Sequence, residues 1–405
     1  MNKILKLVIV SLMVIVFILP SFGQRSKKLV IWCTDKEVAG LDPIKKEFKK
    51  KEKIDVEIEI QAEVRSKFIQ AAKAGTGPDI VVGAHDWVGE LAKNGLIAEI
   101  NLDQKKKAEF FPVSIDGFTY SGKLYGVPYC VEALVLIYNK KLIKDPPTTW
   151  EDLLKVAKSM TKGGSFGFLY GIDNNFYNNF PFIGSQGGYI FKNVGGKYDI
   201  MDIGLDSAGA IEGAKFIMRL VQEGIVPSST NNGTVESNFH EGKVAMIMDG
   251  PWNIKGYVKT NPDIGVTKLP TLNGKKSVPF VGARGFMING TSANQKNVDT
   301  AKNFIINYAG SKDGQYAMFK GGGRPPAHIE ANQMAQKDDP FVKPVIDSAN
   351  DGIPMPNVKA MAVVWNYAAG MIDKFKTGET TVENSIKSAV QTIRQELSKN
   401  PSRFE

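Results

Sequence analysis

The chain has 405 residues, 43% hydrophobic and 23% charged, which is apolar material enough for two substantial cores. Its formal charge is +9, but the basic residues are spread along the sequence, and the clusters Lys49-Lys50-Lys51 and Lys105-Lys106-Lys107 are not interleaved with aromatics. They read as solvated helix faces and speak against a nucleic-acid partner. Two cysteines and three widely separated histidines leave no zinc-binding pattern.

In chain order, Lys3 and Lys6 precede the apolar run Leu7 to Leu19, and Pro20-Ser21-Phe22-Gly23 offers small residues to a signal peptidase. The run is shorter than the roughly 20 residues of a membrane-spanning helix, and no cysteine stands nearby for lipid attachment. Residues 1–23 are therefore expected to be a cleaved signal peptide, and the chain from Gln24 onward a soluble protein of the periplasm. Lys28 to Cys33 reads as a strand, followed by a helix with Leu41, Ile44 and Phe48 on one face. Asp55 to Ile60 alternates as a second strand, Arg65 to Ala74 reads as a helix, and Gly75-Thr76-Gly77-Pro78 punctuates before the apolar strand Asp79 to Val82. Alternating strands and helices predict an α/β fold with a mainly parallel sheet, whose ligands sit beyond the carboxyl ends of the strands. Asp35 and Lys36 follow the first strand, and Ala84-His85-Asp86-Trp87 follows the third. Both sets therefore face one cleft.

Residues 127–138 form an apolar run interrupted by Glu132. A buried carboxylate is costly unless something hydrogen-bonds it, and one reading is a strand crossing between two lobes, with a ligand as partner to Glu132. Thr149 is a candidate N-cap with Asp152 at the capping-box position. Asn174 to Phe182 reads as an aromatic-rich loop, 207–223 as a helix, Val235 to Glu241 as another, and Val244 to Met248 as a strand ending at Asp249-Gly250-Pro251-Trp252. Phe280 to Asn289 is a second candidate crossing, before a helix from Lys296 to Tyr308. Cys33 and Cys130 both sit in strand-like contexts, as a disulfide in an oxidising compartment or as two buried thiols.

The polar residues Asp35, Lys36, Asp86 and Glu132 and the aromatics Tyr177, Trp252 and Trp365 suit a polyol. Ionised groups make strong bonds to buried hydroxyls, and flat rings cover the C–H faces of a sugar. Each also has a plainer reading: a turn for Asp35, solvent for Lys36, a helix cap for Asp86, and core for Trp252 and Trp365. Trp32 and Trp150 are expected in or near the core. No GxSxG, phosphate-binding loop or GxGxxG after a strand is present. The sharpest enzymatic rival is a glycoside hydrolase using Asp86 and Glu132 as acid and nucleophile.

The segments VEALVLIYNK at 131–140, GTGPDIVVGAHDWVGELAKNGLIAEI at 75–100, MDGPW at 248–252 and MPN at 355–357 together resemble the maltose/maltodextrin-binding proteins of bacterial ABC importers, nearly end to end. The resemblance implies a periplasmic-binding-protein fold of two discontinuous lobes joined by a hinge. It implies an N-terminal lobe of residues 24–133 and 286–335 and a C-terminal lobe of 134–285 and 336–405. It implies sugar-hydroxyl contacts by Asp35, Lys36, Asp86 and Glu132, ring stacking by Tyr177, Trp252 and Trp365, no cofactor, no metal and no enzymatic activity. The implied partners are a maltose or maltodextrin ligand and the permease subunits of an importer, with the protein acting as a monomer. Trehalose or sucrose is the alternative solute. The pattern departs where the family's best-known member has tryptophan before Ala-His-Asp and arginine after it: here stand Gly83 and Trp87. Asn175, Asn178 and Ala369 replace a glutamate, an aromatic and an arginine of the family, and Arg284 has no counterpart. Trp87 is a candidate replacement platform and Arg284 a candidate to enter the cleft. The inner disaccharide subsites thus look retained and the periphery rebuilt.

Overall fold

A computed structural model describes residues 28–195, 197–261, 263–291 and 297–404. The expected signal peptide lies outside the described residues. Two sheets organise the chain. The first has six strands in the order Ile353–Pro354, Phe280–Ile288, Ile80–Ala84, Lys28–Cys33, Asp55–Ile60, with Val127–Glu132 also paired to Phe280–Ile288. Lys28–Cys33 is parallel to both its neighbours, whereas Phe280–Ile288 is antiparallel to Ile80–Ala84 and to Val127–Glu132. The second sheet has four strands in the order Ile264–Thr267, Val135–Asn139, Val244–Asp249, Phe166–Tyr170, and only the last pair is parallel. The sheets are therefore mixed, because the chain returns through each lobe more than once: Phe280–Ile288 runs against Ile80–Ala84 and Val127–Glu132, and Val135–Asn139 runs against both its neighbours.

Each sheet anchors its own core. Leu29, Ile31, Phe48, Phe68, Val82, Phe286 and Phe304 belong to the first, and Leu136, Trp150, Phe168, Tyr170, Phe182, Ile247 and Phe375 to the second. Trp150 is fully buried, its ring edges against Phe168 and Phe182 and its Nε1 donating to Ser277 Oγ at 2.9 Å. Trp32 is half-buried and donates to Glu59 at 2.6 Å. Local signals act as the sequence suggests: Asp152 N–H donates to the Thr149 hydroxyl at 3.1 Å, capping helix Trp150–Met160.

Among the described residues the chain passes between the lobes three times. Residues 127–138 are not one strand: Val127–Glu132 pairs in the first sheet and Val135–Asn139 in the second, and the chain changes sheet at the fully buried Ala133 and Leu134. In the second passage Phe280 stacks on Phe180 at 3.9 Å within the second core, while Val281 and Ala283 already belong to the first. That change of core falls near 280, within the second candidate crossing. Helix Ile329–Asp338 runs unbroken through the third expected boundary, and the chain rejoins the second core at Val345. The Asn174 to Phe182 segment is not a loop but the start of helix Phe176–Ser185, capped by Asn175. The start of the helix expected from Lys296 lies outside the described residues; its described part, Val298–Asn303, loosens into a π-type turn over Phe304–Ala309.

Cys33 and Cys130 are buried free thiols. Their strands are separated by two others, three spacings of about 4.8 Å, so they stand at least about 14 Å apart, beyond disulfide reach.

Candidate functional site

Helix Asp35–Glu52 begins directly after the first strand, with Thr34 as its cap and Glu37 closing the capping box: Thr34 N–H donates to Glu37 Oε2 at 2.9 Å. The other oxygen of Glu37 lies in the protein interior and collects cations. Tyr129 donates to it at 2.9 Å and Arg284 Nε at 3.1 Å, Arg284 Nη2 forms an ion pair with it at 3.0 Å, and Arg324 Nη1 stands 3.6 Å away. Burial alone would raise the Glu37 pKa. The guanidinium groups of Arg284 and Arg324, with the Thr34 and Tyr129 hydroxyls, outweigh it and bring the carboxyl down to about 2. Burial, aided by the Glu37 charge, pushes the nearby Cys33 thiol up to about 12.

Asp35 and Lys36 project from the first turn of that helix. Asp35 is exposed, and Lys36 Nζ donates to Asn253 Oδ1 at 3.2 Å. Asn253 belongs to the second lobe, on helix Pro251–Thr260, and its amide donates to Glu236 at 2.8 Å and Asp249 at 3.0 Å. Asp249 is also bonded by Tyr257 and by Gly250 N–H, yet burial leaves its pKa raised. Asp86 sits on the tight turn His85–Trp87 after the strand Ile80–Ala84. Only 6% exposed, it accepts from Trp365 Nε1 of the second lobe at 3.2 Å and stands 3.8 Å from Arg65. Lys255 of the second lobe likewise donates to the Lys320 carbonyl. The lobes thus meet across the cleft.

Trp87 explains the departure at Gly83. Its indole folds back over that glycine, so closely that a Cβ there would lie 2.2 Å from Trp87 Cζ3, and the Arg65 guanidinium stands 5.9 Å from the ring centre. An aromatic at 83 and Trp87 in this position exclude one another. Arg65, from helix Val64–Lys73, stands 3.8 Å from Asp86 and so brings an arginine to it from elsewhere in the chain.

Glu132 ends its strand with Oε2 accepting from Arg324 Nε at 2.8 Å, its side chain 12% exposed. Arg284, expected to enter the cleft, spends Nε and Nη2 on Glu37 and is 13% exposed. Tyr177, Trp252 and Trp365 are each half-buried. The Trp252 indole folds over Gly250 and lies 6.3 Å from Tyr177, while Trp365 meets Phe176 and Phe280 edge-on at 6.0 Å. The Tyr177 hydroxyl is buried with no hydrogen-bond partner among the described residues.

This arrangement, two lobes with carboxylates and half-buried aromatics between them, has a match among known proteins. The family of bacterial extracellular solute-binding proteins fits residues 44–344. The chain belongs to that family. This solute-binding protein is 29% identical over 387 residues to the galactooligosaccharide-binding protein of Bacillus subtilis, covering 93% of this chain and 90% of the relative. It is 29% identical over 394 residues to a maltodextrin-binding protein of the same organism, covering 93% and 92%. With the maltotriose-binding protein of Pyrococcus abyssi the identity is 27% over 357 residues, 85% of this chain and 76% of the relative. Membership in a binding-protein family agrees with a non-enzymatic role. The extracellular family agrees with export, and no helix among the described residues is long and apolar enough to cross a membrane.

The structure carries the expected Asp86 and Glu132 on one lobe and Tyr177, Trp252 and Trp365 on the other, and sets beside them Glu37, Arg65, Tyr129, Asn253 and Arg324, which the sequence did not single out. Two signals were available. Thr34 with Glu37 three residues on is a capping box, and Gly321-Gly322-Gly323-Arg324-Pro325-Pro326 ends a helix and turns extended directly around an arginine.

Proposed function

We propose that the protein is the extracytoplasmic sugar receptor of an ABC importer, capturing maltose or short maltodextrins between its lobes and presenting them to the permease subunits as a monomer. The observation that carries this is the interlobe space itself. Asp86 and Glu132 come from one lobe, Tyr177, Trp252 and Trp365 from the other, and a buried Tyr177 hydroxyl among them lacks a partner among the described residues. A sugar meets both needs at once, its hydroxyls bonding the carboxylates and the phenol, its C–H faces covering the rings. A ligand touching both lobes only in the closed form shifts the population toward closure, and that form is what the permease reads.

The maltodextrin- and maltotriose-binding relatives support this substrate. The galactooligosaccharide-binding relative, similar over as much of the chain, favours a second reading in which the captured sugar is a short galactoside. Calorimetric titration of the refolded, sugar-free protein with maltose, maltotriose, maltotetraose, a galactotriose, trehalose and sucrose separates them. Heat from the maltodextrins alone is expected. Heat from galactotriose alone selects the second reading, and silence toward all six, with no rise in melting temperature, sinks both.

A further inference from the structure

The strand Val127–Glu132 has a neighbour that is not part of either sheet as usually drawn. After helix Lys312–Gly322 the chain runs alongside it: Val131 N–H donates to the Pro325 carbonyl at 3.0 Å, Ala327 N–H to the Tyr129 carbonyl at 3.1 Å, and Cys130 and Pro326 form an antiparallel bridge. Two consecutive prolines are pre-set to extended geometry and have no N–H to leave unpaired. This segment pins the backbone of Arg324 beside the last residue of the strand, and from there Nε reaches Glu132 Oε2 at 2.8 Å. The opposite side of the carboxylate is equally defined. Gly282 is the cross-strand partner of Glu132, and a Cβ on it would stand 3.0 Å from Glu132 Cγ, so the glycine lets that side chain lie flat along the strand. Arg324 is itself backed by Glu37, which keeps Arg284, Tyr129 and Thr34 as its other partners. Among the described residues no hydrogen bond reaches Glu132 Oε1, and the Tyr177 hydroxyl is the unpartnered polar atom whose charge environment includes Glu132.

We propose that Arg324 is a positioning residue for ligand recognition: it fixes Oε2 of Glu132 and leaves Oε1 as a single pre-oriented acceptor for a ligand hydroxyl. This rests on the reading that Glu132 contacts the sugar. The gain is preorganisation, since a carboxylate already held in one rotamer loses little freedom when the ligand arrives. It also sets the ligand class. An acceptor-only oxygen, with its cation already spent, asks for an O–H donor. It disfavours sugars that present a carboxylate, sulfate or methyl ether at that position.

The test is a double-mutant cycle read by calorimetry with maltotriose and, in parallel, a galactotriose, on wild type, Arg324→Met, Glu132→Gln, the double variant and Arg324→Lys. Melting curves confirm folding; Arg324→Met should fold because Glu37 keeps its other partners. Arg324→Met is expected to weaken binding about ten- to a hundredfold, with the double variant no more than about threefold weaker than Glu132→Gln alone, and Arg324→Lys recovering part of the loss. Losses that multiply in the double variant overturn the proposal, because Arg324 then acts on the ligand or the fold directly. Wild-type affinity in Arg324→Met, with a normal loss in Glu132→Gln, overturns the positioning role alone. Wild-type affinity in Glu132→Gln overturns the site reading instead, and a wild type silent to both sugars overturns the two together. Should Arg324→Met not fold, Arg324→Lys takes its place in the cycle, and either wild-type affinity there or a loss that multiplies with that of Glu132→Gln overturns the proposal.

Discussion

Replacing Tyr177 with phenylalanine should cost affinity without costing stability. The ring packs at the first turn of helix Phe176–Ser185, 5.9 Å from Phe280 and 6.3 Å from Trp252, and phenylalanine keeps those contacts. What is deleted is a buried hydroxyl with no partner among the described residues. Burial, with the Glu132 and Asp86 charges, pushes the phenol pKa well above its ordinary value, so the group is a neutral O–H throughout the working range. An unsatisfied buried polar group costs about 1–3 kcal/mol. Opening of the lobes lets water reach it, so only part of that is recoverable, and the sugar-free variant should be unchanged or up to about 1 kcal/mol more stable. In the proposed complex the sugar bonds this phenol, so the variant should lack one neutral hydrogen bond of about 0.5–1.5 kcal/mol, a two- to tenfold loss of affinity at about 1.4 kcal/mol per decade. Urea unfolding of the sugar-free protein and a calorimetric isotherm with maltotriose measure the two. A variant destabilised by more than about 1 kcal/mol with unchanged affinity would falsify the argument, since the hydroxyl would then belong to the fold.

The remaining expectations use the same pair of measurements. Glu37 has a folded pKa of about 2 against an ordinary 4.5, so its contribution is fully present above about pH 4.5 and lost as the pH falls toward 2. The full effect is roughly 3 kcal/mol at 1.36 kcal/mol per unit. Urea midpoints at pH 6, 4 and 3 should fall accordingly and Glu37→Gln should flatten that fall; equal acid sensitivity in the variant would show that other carboxylates carry it. Trp150→Ala, which empties a fully buried core position, should cost about 3–5 kcal/mol of stability and leave maltotriose affinity within about twofold. Gly83→Ala should displace the Trp87 indole at a cost of about 1–3 kcal/mol, visible as a change in tryptophan fluorescence, and an unperturbed spectrum would contradict the close packing. Two thiols should react with Ellman's reagent only in denaturant; two reactive thiols in the native protein would contradict their burial.

Local chemistry was legible wherever a few neighbouring residues decide the outcome. The period of Leu41, Ile44 and Phe48, the alternation of Asp55 to Ile60 and the Thr149 cap each act within one element, and each element stands where the sequence puts it. The family resemblance was legible because it rests on motifs kept in order along the chain, and the family match bears it out. Helix Phe176–Ser185 was misread because its asparagines look like turn formers. Tertiary structure uses them otherwise: Asn175 caps the helix, and Asn178 and Asn179 donate to the carbonyls of Gly171 and Ile172. The crossing strand was misread because an unbroken apolar run carries no sign of which sheet each half joins; hydrogen bonding divides it at Ala133-Leu134. Arg284 and Arg324 were beyond reach for a related reason. Their partner Glu37 lies far away in sequence, and only the packing of the first helix against the returning segments brings three charges and Tyr129 into one buried cluster. Sequence alone determines what each residue can bond, because that is set by covalent structure. The tertiary fold decides which partner it meets, because burial removes water as an alternative and leaves only the groups the chain has carried there.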